Sequence, residues 1–184
     1  TGATGTGKEL IISAIEKYSN KKVYKNSTPR WVGKSESARI EILGQERDIN
    51  KPLDKSHVPG IFEKAGNGII YLSEMGDIDL DIQTLLLDIL SDRKLTRELG
   101  TFEVKLNFSK VICASSKNLR IEIKKGNFRE ELYRRISKTT IKLSPLNQRK
   151  QDIPLLVAYF INKLNIIKNV NIEYIMSDVL KILC

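Results

Sequence analysis

Two short stretches of the sequence carry residue types suited to phosphate chemistry. The first, GATGTGK at Gly2–Lys8, fits the pattern G-x-x-x-x-G-K. Glycines let backbone N–H groups curl around phosphates, the following helix points its N-terminus at them, and the lysine reaches the outer phosphates. The next residue is Glu9 rather than the Ser or Thr that usually contacts magnesium. The stretch predicts a phosphate-binding loop, and a glycine-rich turn that only caps a helix is the alternative.

The second stretch, IIYLSEM at residues 69–75, is an apolar run that ends in Ser73 and Glu74. In nucleotide-hydrolysing proteins a buried strand of this kind usually ends in two acids, and here the first is replaced by a hydroxyl. A serine can contact a hydrated magnesium ion, but it supplies no negative charge. Two hypotheses stay open: an ATPase with one part changed, or a domain that only binds nucleotide.

The elements around these stretches alternate between strands and helices. Apolar residues at helical spacing predict helices over Lys8–Tyr18, Ser35–Leu43, Ile61–Ala65, Leu80–Ser91 and Ile153–Leu164. Strands are predicted over Lys22–Lys25, Ile69–Leu72 and Asn107–Ala114 and from Thr139 onward, with a hairpin over Lys94–Leu106. Asp48–Gly60 reads as a loop, and Asn165–Glu173 as a polar break before a last helix.

This alternation predicts an α/β fold with a parallel sheet flanked by helices, followed by the start of an all-α region. The pattern becomes wholly helical from about Asp152, so we place a domain boundary there, with residues 1–151 and 152–184 as the two parts. Glycine loops of this type normally follow a buried strand. We therefore expect the chain to be a fragment that lacks its first strand, and its last helix to be incomplete.

The charge of the chain is strongly basic, with 31 Lys and Arg against 22 Asp and Glu, a net charge of +9 and a pI near 9.5. Such a balance is typical of proteins that bind polyanions. The lysines are scattered along the chain instead of forming a block, so direct nucleic-acid binding is the lesser alternative.

Cysteine and histidine are scarce. The two cysteines, Cys113 and Cys184, predict reduced thiols and a cytoplasmic location. A single histidine, His57, excludes a standard zinc site and argues against a Ser-His-Asp enzyme. No apolar run is long enough to span a bilayer, so no membrane partner is expected.

Several linked motifs, in order, resemble the central AAA+ domain of bacterial sigma-54-dependent transcription activators, also called enhancer-binding proteins. They are GATGTGKE, GIFEKAGNGIIYLSEMGDIDLDIQTLLLDIL, GNFREELYRRI and IKLSPLNQRKQDIPLL. The resemblance covers nearly the whole chain. It implies a P-loop AAA+ fold with a three-layer parallel sheet and a helical lid, binding of ATP and Mg²⁺, and assembly into a hexameric or similar ring.

The resemblance also implies roles for particular residues. Glu74 would orient the attacking water, Asn26 would restrain that glutamate, and Arg129 and Arg135 would reach the γ-phosphate of a neighbouring subunit as arginine fingers. Magnesium would be held through water by Ser73 and Glu74. The residues expected to hold the nucleotide are Gly2, Thr4, Gly5, Thr6, Gly7, Lys8 and Glu9.

Three departures from the family pattern bear on function. Ser73 replaces the aspartate of the acid pair, and Ser116 in CASSKNL replaces a sensor asparagine. The loop that grips sigma-54 in the family, GAFTGA, is replaced by RDINKPLD at Arg47–Asp54. The partners that the resemblance implies are other copies of the chain and RNA polymerase with its sigma factor. Because of the three departures, a binding module that does not remodel sigma-54 is the alternative. DNA would be contacted only through a domain outside this chain.

Overall fold

The structure, a computed structural model, describes residues 1–46 and 57–172. Its strands are β1 (Val23–Ser27), β2 (Gly44–Gln45), β3 (Val58–Pro59), β4 (Ile69–Ser73), β5 (Lys94–Thr96), β6 (Glu103–Lys105) and β7 (Lys110–Cys113). Its α-helices are α1 (Lys8–Ser19), α2 (Ser35–Leu43), α3 (Ile61–Lys64), α4 (Leu80–Asp92), α5 (Leu119–Lys124), α6 (Glu130–Ile136) and α7 (Ile153–Lys168).

A parallel sheet carries the predicted motifs. Among the described residues it has three strands, in the order β1-β4-β7, with β4 in the centre. The register places Ser27 beside Ser73, and Leu72 between Asn26 and Cys113. Because the carboxyl ends of parallel strands meet at one edge of a sheet, the residues that end β4 lie beside those that follow β1 and β7.

Both faces of β4 are covered, as its continuous apolar pattern predicts. Successive side chains of a strand point to opposite faces. Ile70 and Leu72 pack into a large core with residues of α2, α3, α4 and α6, whereas Ile69 and Tyr71 pack with Ile12 of α1. Helices therefore flank the sheet on two sides, and the three-layer arrangement expected from the sequence is confirmed.

Most predicted elements are found close to their expected limits. Helices α1, α2, α3 and α4, the strand at β4 and the hairpin formed by β5 and β6 are confirmed. The predicted strand over Lys22–Lys25 lies one to two residues later, and that over Asn107–Ala114 is shorter. Hydrophobic periodicity identifies these elements because each buries one face, but it does not fix where they end.

Three predictions are wrong. The stretch from Thr139 forms no strand ladder with the described residues, because its apolar residues have no strand beside them with which to pair. Within the predicted loop Asp48–Gly60, Val58–Pro59 pairs with Gly44–Gln45 as β3, and so short a pair accommodates a proline. Helix α7 continues to Lys168 through the expected break at Asn165. The last predicted helix lies outside the described residues.

The chain divides into two compact units, Thr1–Lys142 and Leu143–Cys184. The first contains the sheet and α1 to α6, and the second contains α7. The boundary predicted near Asp152 stays a prediction. In the described part of the chain, none of the helices has the length and apolar character needed to cross a membrane.

Candidate nucleotide-binding site

The phosphate loop ends where α1 begins. Gly5 and Gly7 have φ angles of 80° and 89°, in the left-handed region that favours glycine. Thr6 is buried, and its hydroxyl donates to the Ala3 carbonyl at 2.8 Å, which closes the turn. The loop therefore leads directly into the N-terminus of a 12-residue helix, whose backbone N–H groups favour an anion.

Lys8 is the first residue of α1, and its ammonium group points back at the loop. The Nζ atom donates to the carbonyls of Gly2 and Ala3, at 2.9 and 3.3 Å. It also forms an ion pair with Oε1 of Glu74 at 3.1 Å. Three oxygens thus surround an ammonium group that has three protons to donate. Phosphate oxygens in the loop would compete with these partners.

Glu74 follows β4 in an unusual backbone conformation. Its φ and ψ angles are both 47°, a left-handed conformation that costs a non-glycine residue about 1–2 kcal/mol. The fully buried Thr28 hydroxyl lies within hydrogen-bonding distance of the carbonyls of Ser73 and Glu74, at 2.5 and 3.1 Å. This hydroxyl ties the turn at the end of β4 to the segment that follows β1.

The Glu74 carboxylate is held at both oxygens. Oε2 accepts hydrogen bonds from the backbone N–H of Ser116 at 2.8 Å and from its hydroxyl at 2.6 Å, while Oε1 faces Lys8. Partial burial alone would raise the pKa of Glu74, but the hydrogen bonds from Ser116 and the Lys8 ammonium keep this pKa below its usual value. Glu74 is therefore ionised at neutral pH.

Arg129 and Arg135 lie at the two ends of α6 and contact α4. The Nε atom of Arg129 donates to the carbonyl of Leu80 at 3.1 Å, and Nη2 of Arg135 donates to that of Leu90 at 2.5 Å. These carbonyls are separated by about 15 Å along the helix, at 1.5 Å per residue. The two guanidinium groups are thus anchored apart, and both side chains are largely exposed.

Residues 1–142 match the model of a family described as the sigma-54 interaction domain. The chain belongs to this family. The match and the parallel sheet with its flanking helices together confirm the predicted α/β P-loop AAA+ fold.

Relatives of this sigma-54 interaction domain include transcriptional regulators. A signal-transduction and transcriptional-control protein of Clostridium beijerinckii is 37% identical over 162 residues, 87% of this chain and 25% of that protein. The DNA-binding transcriptional regulator NtrC of Azospirillum brasilense is 33% identical over 169 residues, 89% of this chain and 34% of that protein. The chain thus spans about a quarter to a third of the length of these relatives.

Solved structures of a related protein share the fold of this chain. The crystal structure of NtrX from Brucella abortus in complex with ADP is 28% identical, with a TM-score of 0.84, and the alignment covers 99% of this chain and 39% of that one. The structure of the same protein in complex with ATP has a TM-score of 0.81 at 27% identity, over 98% and 40% of the two chains.

The structure brings most of the predicted site residues of the domain together. The loop Gly2–Glu9, the strand end at Ser73 and Glu74, and Ser116 after β7 lie at one edge of the sheet. Asn26 lies at the same edge, but its amide donates to the Tyr24 carbonyl at 3.1 Å. In the described part of the chain, the donors to the Glu74 carboxylate are Ser116 and Lys8.

The donor set near Ser73 fits a magnesium ion that arrives with a nucleotide. The Ser73 hydroxyl donates to the Asn26 carbonyl over a long 3.4 Å. Within residues 1–46 and 57–172, no three His, Cys, Asp or Glu side chains converge as metal ligands. Magnesium retains several waters and binds phosphate oxygens readily. Ser73 and Glu74 are the residues that would hydrogen-bond such waters.

Three residues with clear roles at the site were missed by sequence reasoning. Thr28 fixes the turn at Glu74, as described above. Tyr71 is buried, and this burial together with the nearby Glu9 carboxylate raises the pKa of Tyr71 well above its usual value. Gln83 is fully buried in α4, and its Oε1 accepts the backbone N–H of Arg129 at 2.7 Å. Of the three, only Gln83 could have been noticed in the sequence, because it is a polar residue that interrupts the apolar stripe of α4.

The predicted departure at Arg47–Asp54 concerns the loop that contacts sigma-54 in the family. The whole of this stretch lies outside the described residues. Its sequence, RDINKPLD, differs from GAFTGA at every position that would form the aromatic-threonine tip. The departure therefore remains an observation on the sequence.

Proposed function

We propose that this domain binds ATP in the phosphate loop and hydrolyses it where two copies of the chain meet in a ring. The observation that carries the proposal is the 3.1 Å contact between Lys8 Nζ and Glu74 Oε1. It joins the lysine that would hold the outer phosphates to the carboxylate that would orient water. A γ-phosphate in contact with Lys8 is then a neighbour of Glu74.

The chemistry follows from this neighbourhood. When Lys8 turns to the phosphates, Oε1 of Glu74 loses its cation and becomes the acceptor for a water proton. The water oxygen attacks phosphorus, the bond to the bridging oxygen breaks, and ADP and phosphate leave. A magnesium ion bound with the nucleotide would neutralise charge on the phosphates, with Ser73 and Glu74 hydrogen-bonded to its waters.

A neighbouring subunit would complete the site. Arg129 and Arg135 are exposed, and each donates a hydrogen bond to a backbone carbonyl of α4. Phosphate oxygens are stronger acceptors than neutral carbonyls, so a phosphate presented by a neighbour would draw these guanidinium groups away. An arginine supplied in trans contributes about 10³–10⁵ in rate in phosphoryl transfer.

Mixing two inactive variants tests the proposal. Lys8→Ala lacks the cation that holds the phosphates but keeps its arginines, and Arg135→Ala has the reverse defect. Each alone should lose turnover, and the mixture should regain part of it because some interfaces combine an intact loop with an intact arginine. A mixture that stays inactive, while the wild type is active, would contradict hydrolysis between subunits.

The matched control is Arg134→Ala. Arg134 is adjacent to Arg135 in sequence but pairs with Glu130 of its own helix at 2.7 Å, and both side chains are well exposed. Loss of this surface pair should leave turnover unchanged. If Arg134→Ala and Arg135→Ala lose activity to the same extent, general loss of positive charge is the cause.

A second candidate function is an ATP-operated assembly switch without hydrolysis. Ser73 favours it, because a neutral hydroxyl replaces the acid expected next to the magnesium ion. ATP binding and assembly without phosphate release at any protein concentration would support this candidate.

Beyond other copies of the chain, the partners to consider are sigma-54 and DNA. The family description, sigma-54 interaction domain, indicates sigma-54 as a target, but the replacement of GAFTGA argues against the usual remodelling contact. DNA binding is proposed only for parts of a longer protein.

A further inference from the structure

We propose that the hydroxyl groups of Ser116 and Thr28 restrain Glu74 so that it can orient the water that attacks the nucleotide, a restraint that the family resemblance assigns to Asn26. The inference rests on the proposed function and names the residues that set its geometry. The hydrogen bonds of both hydroxyls end on residues 73 and 74, so both act through Glu74 as positioning residues.

Thr28 acts on the backbone of Glu74. Its side chain is fully buried, and its hydroxyl is 2.5 Å from the Ser73 carbonyl and 3.1 Å from that of Glu74. A buried hydroxyl needs a partner, and these carbonyls are the ones available at the end of β4. The contact supports the left-handed backbone of Glu74, which aims its side chain at the phosphate loop.

Ser116 acts on the carboxylate itself. Its backbone N–H and hydroxyl both donate to the same oxygen, Oε2 of Glu74, at 2.8 and 2.6 Å. Two donors on one oxygen fix the plane of the carboxylate more tightly than one donor would. The other oxygen, Oε1, is thereby left pointing at Lys8, where the outer phosphates would lie.

Asn26 has a different role in this arrangement. Its side-chain amide donates to the Tyr24 carbonyl at 3.1 Å, and its own carbonyl accepts from Ser73 at 3.4 Å. These bonds are local to the ends of β1 and β4. In this structure Glu74 is therefore hydrogen-bonded by a hydroxyl after β7 and not by the Asn26 amide on β1.

The kinetic test compares Ser116→Ala with Ser116→Thr in the full natural protein. Loss of one hydrogen bond to a charged group should lower kcat about tenfold, because the backbone donor remains, while KM for ATP stays the same. Threonine keeps the hydroxyl and should restore kcat. A matched control is Ser115→Ala, since the Ser115 hydroxyl donates to Lys117 instead, at 3.0 Å. An unchanged kcat in Ser116→Ala would overturn the proposal.

A second readout works without turnover. The Ser116 amide proton should resonate downfield in nuclear magnetic resonance spectra because it is bonded to a carboxylate, and Glu74→Ala should move it upfield. With a non-hydrolysable ATP analogue bound, the proposal requires the downfield position to persist. A return to the position seen in Glu74→Ala would overturn it, whether or not the wild type hydrolyses ATP. Failure of hydrolysis alone would count only against the proposed function.

The role of Thr28 is tested with Thr28→Val and Thr28→Ser. Valine keeps the shape of the side chain and removes its hydroxyl, so kcat should fall while KM is retained. Serine should restore kcat. Equal kcat for Thr28→Val and the wild type, at equal thermal stability, would remove Thr28 from the proposal.

Discussion

At the scale of single residues, the proposed chemistry rests on two side chains of opposite charge, Lys8 and Glu74. They are only 12% and 24% exposed, so their ion pair is less screened by solvent than a surface pair would be. An incoming phosphate must therefore compete with Glu74 for Lys8. The two residues proposed to act on the nucleotide are thus paired with each other in this structure.

Removal of the Lys8 ammonium tests the phosphate loop directly. Lys8→Ala should weaken ATP binding about tenfold to a hundredfold, because a hydrogen bond to a charged group is lost. Isothermal titration calorimetry with ATP and magnesium measures the change. Lys17→Ala, at the exposed end of α1, is the control and should bind as the wild type does. An affinity for ATP unchanged by Lys8→Ala would sink the assignment.

Restoring charge at Ser73 tests whether the missing acid limits turnover. Ser73→Asp should raise magnesium-dependent ATP turnover, since a carboxylate attracts the hydrated ion more strongly than a hydroxyl does. Ser73→Asn adds the same bulk without charge and should give no gain. Steady-state phosphate release at several magnesium concentrations distinguishes the two. Equal turnover for both variants would mean that charge at this position is not limiting.

At the scale of elements, one buried amide connects the site to the arginine helix. Gln83 donates to the carbonyls of Ile78 and Asn127, both at 2.9 Å, and accepts from the N–H of Arg129. It thereby joins the turn after Glu74, helix α4 and the start of α6. Few other polar side chains in this part of the chain are so completely enclosed.

Gln83→Leu should loosen this connection. The substitution keeps the volume but leaves an N–H and two carbonyls without their side-chain partner, at a cost of about 2–4 kcal/mol in unfolding free energy. Urea denaturation measures it. Asp88→Ala, at an exposed position of the same helix, should change the free energy of unfolding by no more than about 0.5 kcal/mol. Equal losses for the two variants would show that the buried amide is not special.

A second charged cluster, around Arg97, lies beside the short pair of strands β2 and β3. The Arg97 side chain contacts Glu63 of α3 at 2.6 Å and also pairs with Glu46. Burial would raise the pKa of Glu63, but the hydrogen bonds and charge of Arg97 hold it below its usual value. The stability that Glu63 contributes is therefore present above the pKa of the unfolded chain and is lost as pH falls through the folded value.

Glu63→Gln should reveal this dependence. At about pH 7 the variant should be less stable than the wild type, and the difference should shrink at about pH 4, where Glu63 becomes protonated in the unfolded state. Urea midpoints at the two pH values give the comparison. Glu103→Gln, which affects an exposed pair with Lys94, should show little difference at either pH. A gap for Glu63→Gln that is constant with pH would contradict the argument.

At the scale of the whole molecule, the proposed hydrolysis site requires a second copy of the chain. The phosphate loop and Glu74 belong to one edge of the sheet, whereas Arg129 and Arg135 are anchored on α4. The first compact unit, Thr1–Lys142, contains both sets. A net charge of +9 also means that copies repel one another, and bound ATP and added salt would reduce this repulsion.

Turnover per subunit should therefore rise with protein concentration. Phosphate release measured over a wide concentration range, with light scattering at the same concentrations, would follow the assembled fraction. Lys8→Ala supplies the background rate. Constant turnover per subunit at concentrations where the protein is monomeric would show that a single copy contains a complete site.

The sequence by itself determined the parts of the domain that local patterns encode. Residues close together in the sequence encode several elements. These are the glycine spacing of Gly2–Lys8, the apolar run of β4 and the helical periodicity of α1 and α4. The family, the fold class and the hairpin of β5 and β6 were also within its reach, since linked motifs and turn residues carry that information.

Only the tertiary structure decided which side chains meet. Thr28 reaches Ser73 across 45 residues, Ser116 reaches Glu74 across 42, and Arg129 reaches Gln83 across 46. The stretch from Thr139 failed as a strand for the same reason, because a strand exists only where a neighbour completes its ladder. Hydrogen-bond partners are set by how the chain packs, and residue types along the chain leave that choice open.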